Sequence, residues 1–126
     1  MKQTVASVIA KLDKLKPNAY DSSDKLAWIN ELEERIYQDI INQKEGEEET
    51  FTAFTDATDN TTDLVVASPY SDIYFQYLSA QVDYHNQDFA LYNNSTAVFN
   101  KTMLDYSAYY RRNNRAKSCP QPKYDY

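Results

Sequence analysis

The sequence predicts an all-α subunit of four helices, with a long loop or short β-hairpin between the second and third helices and an extended carboxyl-terminal arm. Apolar residues recur every three or four positions along four segments, which is the spacing of helices that bury one face. The 126 residues include a single glycine, Gly46, and eleven aromatic residues lie between Ser68 and Arg112. Because phosphate-binding loops, dinucleotide-binding turns and nucleophile elbows need several glycines, the sequence excludes these kinds of enzyme site.

The first predicted helix extends from about Thr4, a suitable N-cap, to Leu15. Pro17 ends this helix, because the residue before a proline is disfavoured in helical conformation. The apolar residues that share one face of the helix are Val5, Val8, Ile9, Leu12 and Leu15.

The second predicted helix begins at Asp21 or Ser22, either of which is a suitable cap, and continues to about Asn42 or Lys44. An acidic residue in its first turn, Asp24, is favoured by the helix dipole. The predicted core face of this helix consists of Leu26, Ile29, Leu32, Ile36 and Ile40.

The segment 43–67 contains the only glycine, an acidic run and many Thr and Asp residues, so no helix is predicted there. Two short β-prone pieces, Phe51–Phe54 and Leu64–Ala67, are able to pair as a hairpin, although the turn between them is long. The alternative, which we favour, is a loop excursion that becomes ordered on a partner.

The third helix is predicted to begin at Ser68, as its cap, with Pro69 at the first helical position, and to end near Asn86. Residues 86–88 are then either a short break or a continuous bend into a fourth helix that ends near Arg112. The third helix has an apolar stripe of Tyr70, Ile73, Tyr74, Tyr77, Leu78 and Val82. In the fourth helix the narrow seam is Phe89, Tyr92, Thr96, Phe99, Met103, Tyr106 and Tyr110.

Residues 1–112 are therefore predicted to form one helical domain that contains the 43–67 excursion, and 113–126 to form an extended tail. The tail contains Pro120 and Pro122 and has no core pattern, so we expect it to become ordered only by contact. No apolar run is as long as a membrane span and the amino end does not resemble a signal peptide, so we expect a chain made in a cytoplasm, without a membrane partner.

Charge is distributed unevenly along a chain whose net charge is −6. Residues 21–50 carry seven more acidic than basic residues, whereas residues 101–126 carry four more basic than acidic residues. An acidic middle disfavours general nucleic-acid binding, which depends on clustered Lys and Arg. The pattern instead favours head-to-tail contact between copies, or a partner of complementary charge.

Candidate catalytic and metal sites are weak throughout the sequence. His85 is the only histidine and has only Asp83 and Asp88 as acidic neighbours, while Cys119 is the only cysteine. The acidic run 45–49 lacks the alternating ligands of a calcium loop. We therefore expect no catalysis, no metal and no cofactor, and interpret these residues as solvated polar side chains.

Tyrosine and arginine point instead to interfaces between proteins. Tyrosine at a subunit boundary buries its ring and keeps its hydroxyl hydrated, so both ordinary core and subunit interface fit the aromatic stripes, and we favour the interface. The residues predicted to lie at a subunit interface are Tyr74, Tyr92, Phe99 and Tyr106. The basic end has three open interpretations: a cationic helix terminus, a protein anchor or a small nucleic-acid patch. It consists of Arg111, Arg112, Arg115 and Lys117, with Tyr109, Tyr110 and Tyr124 close by.

Several segments resemble a family of small proteins from tailed phages and prophages, the head-to-tail adaptors, also called head completion or neck connector proteins. The segments run from about residue 5 to residue 112, and the most specific are the Pro-Tyr pair at 69–70 and Tyr-Asn-Asn-Ser at 92–95. The others are Leu15–Tyr20, Lys25–Ile41 with its Trp28, Leu64–Ser68 and Phe99–Asn100. None of these is a catalytic motif, and the segment 119–126 departs from the family pattern.

The resemblance implies a structural virion protein, assembled in the host cytoplasm, that forms a ring, usually of twelve copies, beneath the portal protein. The ring would extend the DNA channel and join the head to a downstream neck, stopper or tail-completion protein, with DNA passing through the lumen without specific binding. Loop and carboxyl-terminal segments of such adaptors contact the portal or the next ring. The matching residues here are Phe51, Phe54, Tyr109, Tyr110, Arg111, Arg112 and Arg115. The alternative function is a cytoplasmic helical module, a phage or host regulator, that binds one protein.

Overall fold

The computed structural model describes residues 2–41, 50–58 and 60–114 and shows a mainly α-helical fold with four helices and a small two-stranded antiparallel sheet. None of the helices in these ranges is long and apolar enough to cross a membrane. In chain order the elements are β1 (Lys2–Thr4), α1 (Val5–Leu15), α2 (Ser22–Asp39), β2 (Asp63–Ala67), α3 (Ile73–His85) and α4 (Phe89–Asn114).

The predicted bounds of α1 are confirmed. Thr4 caps the helix in a reciprocal arrangement: its hydroxyl accepts the Ser7 N–H at 3.3 Å, and the Ser7 hydroxyl accepts the Thr4 N–H at 2.9 Å. The prediction that Leu15 belongs to the core face is wrong, since its side chain is exposed. The last turn of α1 instead directs the neighbouring Lys16 toward the core, as described below.

Helix α2 begins at Ser22, after the N-cap Asp21, as predicted, but it ends earlier than expected, at Asp39 rather than Asn42 or Lys44. Ile40 leaves the helical conformation, with φ −120° and ψ −59°, and both Ile40 and Ile41 are buried. The chain therefore leaves α2 while both isoleucines still contribute to the core. Residues 42–49 lie outside the described part of the chain.

Of the two alternatives predicted for the segment 43–67, the less favoured hairpin is wrong. Leu64–Ala67 lies within β2, but β2 pairs with β1, so that Lys2 is opposite Ala67 and Thr4 is opposite Asp63. Phe51–Phe54 forms no strand. The side-chain amide of Asn30 accounts for this difference, because it donates to the Phe54 carbonyl at 2.9 Å and accepts the Phe54 N–H at 2.8 Å. A helix side chain thus occupies the backbone groups that a strand partner would need.

Helix α3 begins at Ile73, so the predicted start at Ser68 and Pro69 is wrong. Consecutive turns fill residues 68–72, in which the Tyr70 N–H bonds to the Ala67 carbonyl and the Ile73 N–H to the Tyr70 carbonyl. The Ser68–Pro69 peptide bond is cis. These turns carry the chain from the end of β2 into α3.

Helices α3 and α4 are separate elements, as one of the two alternatives predicted. The break falls at Gln87, whose φ is +61°, a left-handed value that ends a helix. Asp88 then caps α4, its side chain accepting the Leu91 N–H at 3.2 Å. Helix α4 continues to Asn114, two residues beyond the predicted end.

The main core lies between α3, its neighbours α1 and α2, and the inner face of α4. The predicted seam of α4 is confirmed from Tyr92 to Tyr110, whereas Phe89 is exposed. Ring contacts mark the α3–α4 interface, with centroids 5.1 Å apart between Tyr77 and Phe99. The fully buried side chains that fill the core include Val5, Val8, Leu12, Ile29, Leu32, Ile36, Ile41, Leu64, Ile73 and Leu78.

Candidate interaction surfaces

Three of the four residues predicted at a subunit interface lie in the core of the subunit. Tyr74 has no exposed surface, and Phe99 and Tyr106 are each 4% exposed. These side chains were predicted to lie at the subunit surface. That prediction is wrong, because residues of the same subunit bury them. Helix α3 is covered on several sides by α1, α2 and α4, so a tyrosine on its stripe is enclosed within one chain.

Tyr92, the fourth of these residues, is half-buried in a cluster of rings near the α3–α4 break. Its ring centroid lies 5.4 Å from that of Tyr84, which is half exposed. His85 is exposed and stacks on Trp28, with centroids 5.4 Å apart and planes inclined by 12°. Tyr20 packs edge-on against Trp28, and its hydroxyl donates a hydrogen bond to Asn86 at 2.7 Å. The single histidine is therefore part of an aromatic cluster.

A buried carboxylate, Glu33, is the most unusual polar feature of the interior. Glu33 is 2% exposed; its Oε1 accepts the Tyr74 hydroxyl at 2.6 Å, and its Oε2 accepts the Val65 N–H at 3.1 Å. The Tyr74 oxygen in turn accepts the Val66 N–H at 2.9 Å. Burial raises the pKa of Glu33, although the two hydrogen bonds and the charge of Lys2 lower it in part. This network joins α2 and α3 to β2.

Burial also raises the pKa of Tyr74 well above its ordinary value, and the Glu33 carboxylate adds to this effect. The phenol therefore keeps its proton, which it needs to donate to Glu33. Neither group faces an open cleft, because both are buried. The pair stabilises the fold and offers no accessible acid or base to a substrate.

A second buried carboxylate, Asp83, connects three helices. The Lys16 ammonium lies 2.5 Å from Asp83 Oδ1 and donates to the Ser79 hydroxyl at 3.0 Å. The Ser95 hydroxyl donates to Asp83 Oδ2 at 2.7 Å. Since Lys16 follows α1, Asp83 lies on α3 and Ser95 lies on α4, one carboxylate anchors all three helices.

The outer surface of α4 carries a line of exposed apolar side chains, hereafter the α4 line, defined by Leu91, Val98 and Tyr109. Their exposed fractions are 48%, 51% and 41%. Spacings of seven and eleven residues return to nearly the same side of a helix, so the three form a line about 27 Å long. Leu104 is 69% exposed but points to a different side of α4. The exposed Asp105 lies on the same side of α4 between Val98 and Tyr109, so the α4 line consists of separate apolar side chains.

The basic end of α4 adjoins the α4 line. Arg111 and Arg112 are both exposed, and Arg112 lies one turn beyond Tyr109. Tyr109 and Tyr110 pack against Tyr70 and Tyr106 in a group of four tyrosines. Of the residues predicted to contact a partner, Tyr109 thus remains accessible and Tyr110 is half-buried, while Arg115 lies outside the described residues.

Phe51 and Phe54, the predicted partner contacts in the loop, lie against α2. Both are half-buried: Phe51 packs on Tyr37 with ring centroids 5.4 Å apart, and Phe54 packs on Phe51 at 5.8 Å. Part of each ring remains accessible from outside the subunit. The loop is therefore held in place by α2, with two aromatic rings at its surface.

Among the described residues no group of three or more His, Cys, Asp or Glu side chains is placed to hold a metal ion. The acidic run 45–49 and Cys119 are outside those residues.

Sequence reasoning missed Glu33, Asp83 and Lys25 as buried charges. Lys25 is 3% exposed and lies 2.5 Å from Asp13. A signal was present in α2, because Lys25 lies four residues before Ile29 and Glu33 lies four residues after it, so both fall on the apolar stripe. A charged residue in phase with a core stripe predicts a buried partner. Asp83 offers no such signal, since α3 is buried on several sides.

Comparisons with protein-family models, with curated proteins and with solved structures found no match to this chain. The surfaces described above are therefore the basis for a functional proposal, together with the resemblance found in the sequence.

Proposed function

We propose that the chain is a structural subunit of a tailed-phage particle, a head-to-tail adaptor that forms a ring beneath the portal protein. The ring extends the DNA channel and joins the head to a neck or tail protein, and the subunit performs no catalysis. The structural observation that carries the proposal is the α4 line, since Leu91, Val98 and Tyr109 are each exposed on one side of α4 over about 27 Å, at a rise of about 1.5 Å per residue.

Three further features support this proposal. The subunit is mainly helical, which agrees with the fold that the sequence resemblance implies. The net charge of −6 suits a subunit that lines a DNA channel, because a negative surface repels phosphates and lets DNA slide. Phe51 and Phe54 present rings at the surface of an anchored loop and are the partner contacts we assign to the portal or a neck protein.

Assembly tests the proposal directly. We would measure the mass of the purified chain by native mass spectrometry, alone and with the portal protein encoded in the same genome, and image the products by negative stain. A ring on the portal is expected. Because the portal is able to template the assembly of subunits that are monomeric alone, it must be present in the test.

Variants of two exposed residues on α4 make the test specific. Val98→Asp places a charge in the α4 line and should abolish the ring, whereas Leu104→Asp makes the same kind of change on another side of the helix and should not. Both side chains are exposed, so both variants should fold like the parent chain. A parent chain that stays monomeric with the portal contradicts the proposal. A complex of one copy with one partner protein would favour the helical binding module instead.

A further inference from the structure

Helix α2 presents an acidic outer face, defined by Asp24, Glu31 and Glu34. The three residues are exposed, and their spacing places them on one side of α2, opposite the buried Ile29 and Ile36. Glu31 accepts a hydrogen bond from Tyr77. Within the described ranges none of the three carboxylates forms an ion pair, since the single arginine of α2, Arg35, pairs with Asp39 at 3.6 Å.

The arginines at the basic end of α4 also lack an ion-pair partner among the described residues. Arg111 and Arg112 are exposed, and neither forms an ion pair with any residue that the structure describes. The nearest preceding acidic residue on the helix, Asp105, is held by Lys101 at 3.1 Å. Two cations therefore project from the last turn of α4 without a counter-charge in the part of the chain that the structure describes.

We propose that the basic end of α4 in one copy docks on the acidic outer face of α2 in the next copy. The inference rests on the proposed function and names the surfaces that pair in the ring. Each half of the contact is exposed and forms no ion pair with the described residues of its own chain, and a second copy supplies the complement of both. Because the two halves are different surfaces, the contact is head-to-tail, which is the kind of contact that closes into a ring.

The position of the α4 line also favours a second copy of the chain as the partner. Arg112 continues the line one turn past Tyr109, so an approaching α2 that meets the arginines also covers apolar surface of α4. Charged residues at the rim of such a contact set its register and orientation, while the apolar residues exclude water. Assignment of Arg111 and Arg112 to a neighbouring copy also leaves the loop rings Phe51 and Phe54 as the contacts with the portal.

Charge reversal of each half tests the contact. One variant carries Arg111→Glu and Arg112→Glu, and the other carries Glu31→Lys and Glu34→Lys. Copies of either variant present like charges to each other, so each alone should lose assembly under conditions in which the parent chain forms complete rings on the portal. An equal mixture of the two variants should recover assembly, because every contact in an alternating ring is again between opposite charges.

Two controls separate three outcomes. Lys14→Glu reverses an exposed charge on α1 and should assemble like the parent, and thermal unfolding should show that all variants fold. If the parent forms rings and both reversal variants form them equally well, the charge contact is wrong although the proposed function stands. If the reversed arginines abolish portal binding but leave contact between copies intact, the basic end belongs to the portal and the inference is overturned. If the parent chain never assembles, the result contradicts both the charge contact and the proposed function.

Discussion

The phenol of Tyr74 donates a hydrogen bond of 2.6 Å to Oε1 of Glu33 and at the same time accepts the backbone N–H of Val66 at 2.9 Å. The other oxygen of Glu33 accepts the Val65 N–H. Two side chains from α3 and α2 thereby satisfy two consecutive amides of β2 inside the core. The only sheet of the described residues is thus attached to the helices by hydrogen bonds as well as by packing.

Removal of the Tyr74 hydroxyl should lower stability considerably. Tyr74→Phe leaves one oxygen of Glu33 and the Val66 N–H without partners in a buried site, which should decrease the free energy of unfolding by about 2–3 kcal/mol. Urea denaturation followed by circular dichroism would measure the change. Tyr84→Phe removes a hydroxyl from a half-exposed ring and should have an effect below about 0.5 kcal/mol. Equal effects of the two variants would contradict the role of the network.

The raised pKa of Glu33 predicts a specific dependence of stability on pH. The folded chain keeps the Glu33 proton to a higher pH than the unfolded chain, whose carboxyl titrates near 4.5. The folded state therefore binds more protons between 4.5 and the raised pKa, and the free energy of unfolding falls as pH increases through that window. The contribution is complete below 4.5 and lost above the folded pKa.

Glu33→Gln isolates this contribution, because a neutral amide of similar shape does not titrate. The difference in free energy of unfolding between parent and variant should change with pH in that window, by at most about 1.4 kcal/mol per pH unit for one proton. Urea denaturation at a series of pH values would measure it. Other carboxylates are shared by both chains and cancel in the difference, so a difference that is constant with pH would contradict the prediction.

The Lys16–Asp83 pair should contribute far more than a surface pair. Lys16→Met leaves the buried Asp83 carboxylate without its cation and should lower the free energy of unfolding by about 3 kcal/mol. The double variant Lys16→Met, Asp83→Asn should recover part of this loss, and a double-mutant cycle measures the coupling. Lys101→Met breaks the exposed pair with Asp105 and should cost less than about 0.5 kcal/mol. Comparable losses for the two single variants would disprove the difference.

Helix positions were predictable where one local signal decided them. Thr4 begins α1 because its capping hydrogen bonds involve residues adjacent in the sequence, and Asp21 precedes α2 as predicted although its side chain forms no capping hydrogen bond. The strand partner of β2 was not predictable, because β1 pairs Lys2 with Ala67 and Thr4 with Asp63, which are far apart in the sequence. Strand pairing and burial of tyrosine depend on the tertiary arrangement, which local spacing does not contain.

The candidate interaction surfaces were also predictable only in part. Tyr74 and Tyr106 were predicted at a boundary from residue type alone, yet the number of neighbours around a helix, and not its residue type, decides whether a tyrosine is enclosed. The exposed Val98 and Leu91 are ordinary apolar residues in the sequence, and only the position of α4 shows that they remain uncovered. The basic end, by contrast, was evident from charge alone.

Gln87 has a positive φ of +61°, a conformation that costs a residue with a side chain energy and costs glycine little. Gln87→Gly should therefore keep or raise the free energy of unfolding, by up to about 1 kcal/mol. Gln87→Val should lower it, since a β-branched residue is disfavoured there. Thermal unfolding of the three chains would give the order Gly, Gln, Val, and a Val variant as stable as the Gly variant would contradict the prediction.

The two hydrogen bonds between Asn30 and the backbone of Phe54 have a consequence for how this chain is able to vary. The loop after α2 is positioned by one side chain of a helix, and β2 is positioned by β1, Glu33 and Tyr74. Both anchors lie on α2, because Asn30 and Glu33 are three residues apart on that helix. One turn of α2 thus sets where the chain leaves the loop and where it enters the sheet, so a substitution that shifts α2 should displace both.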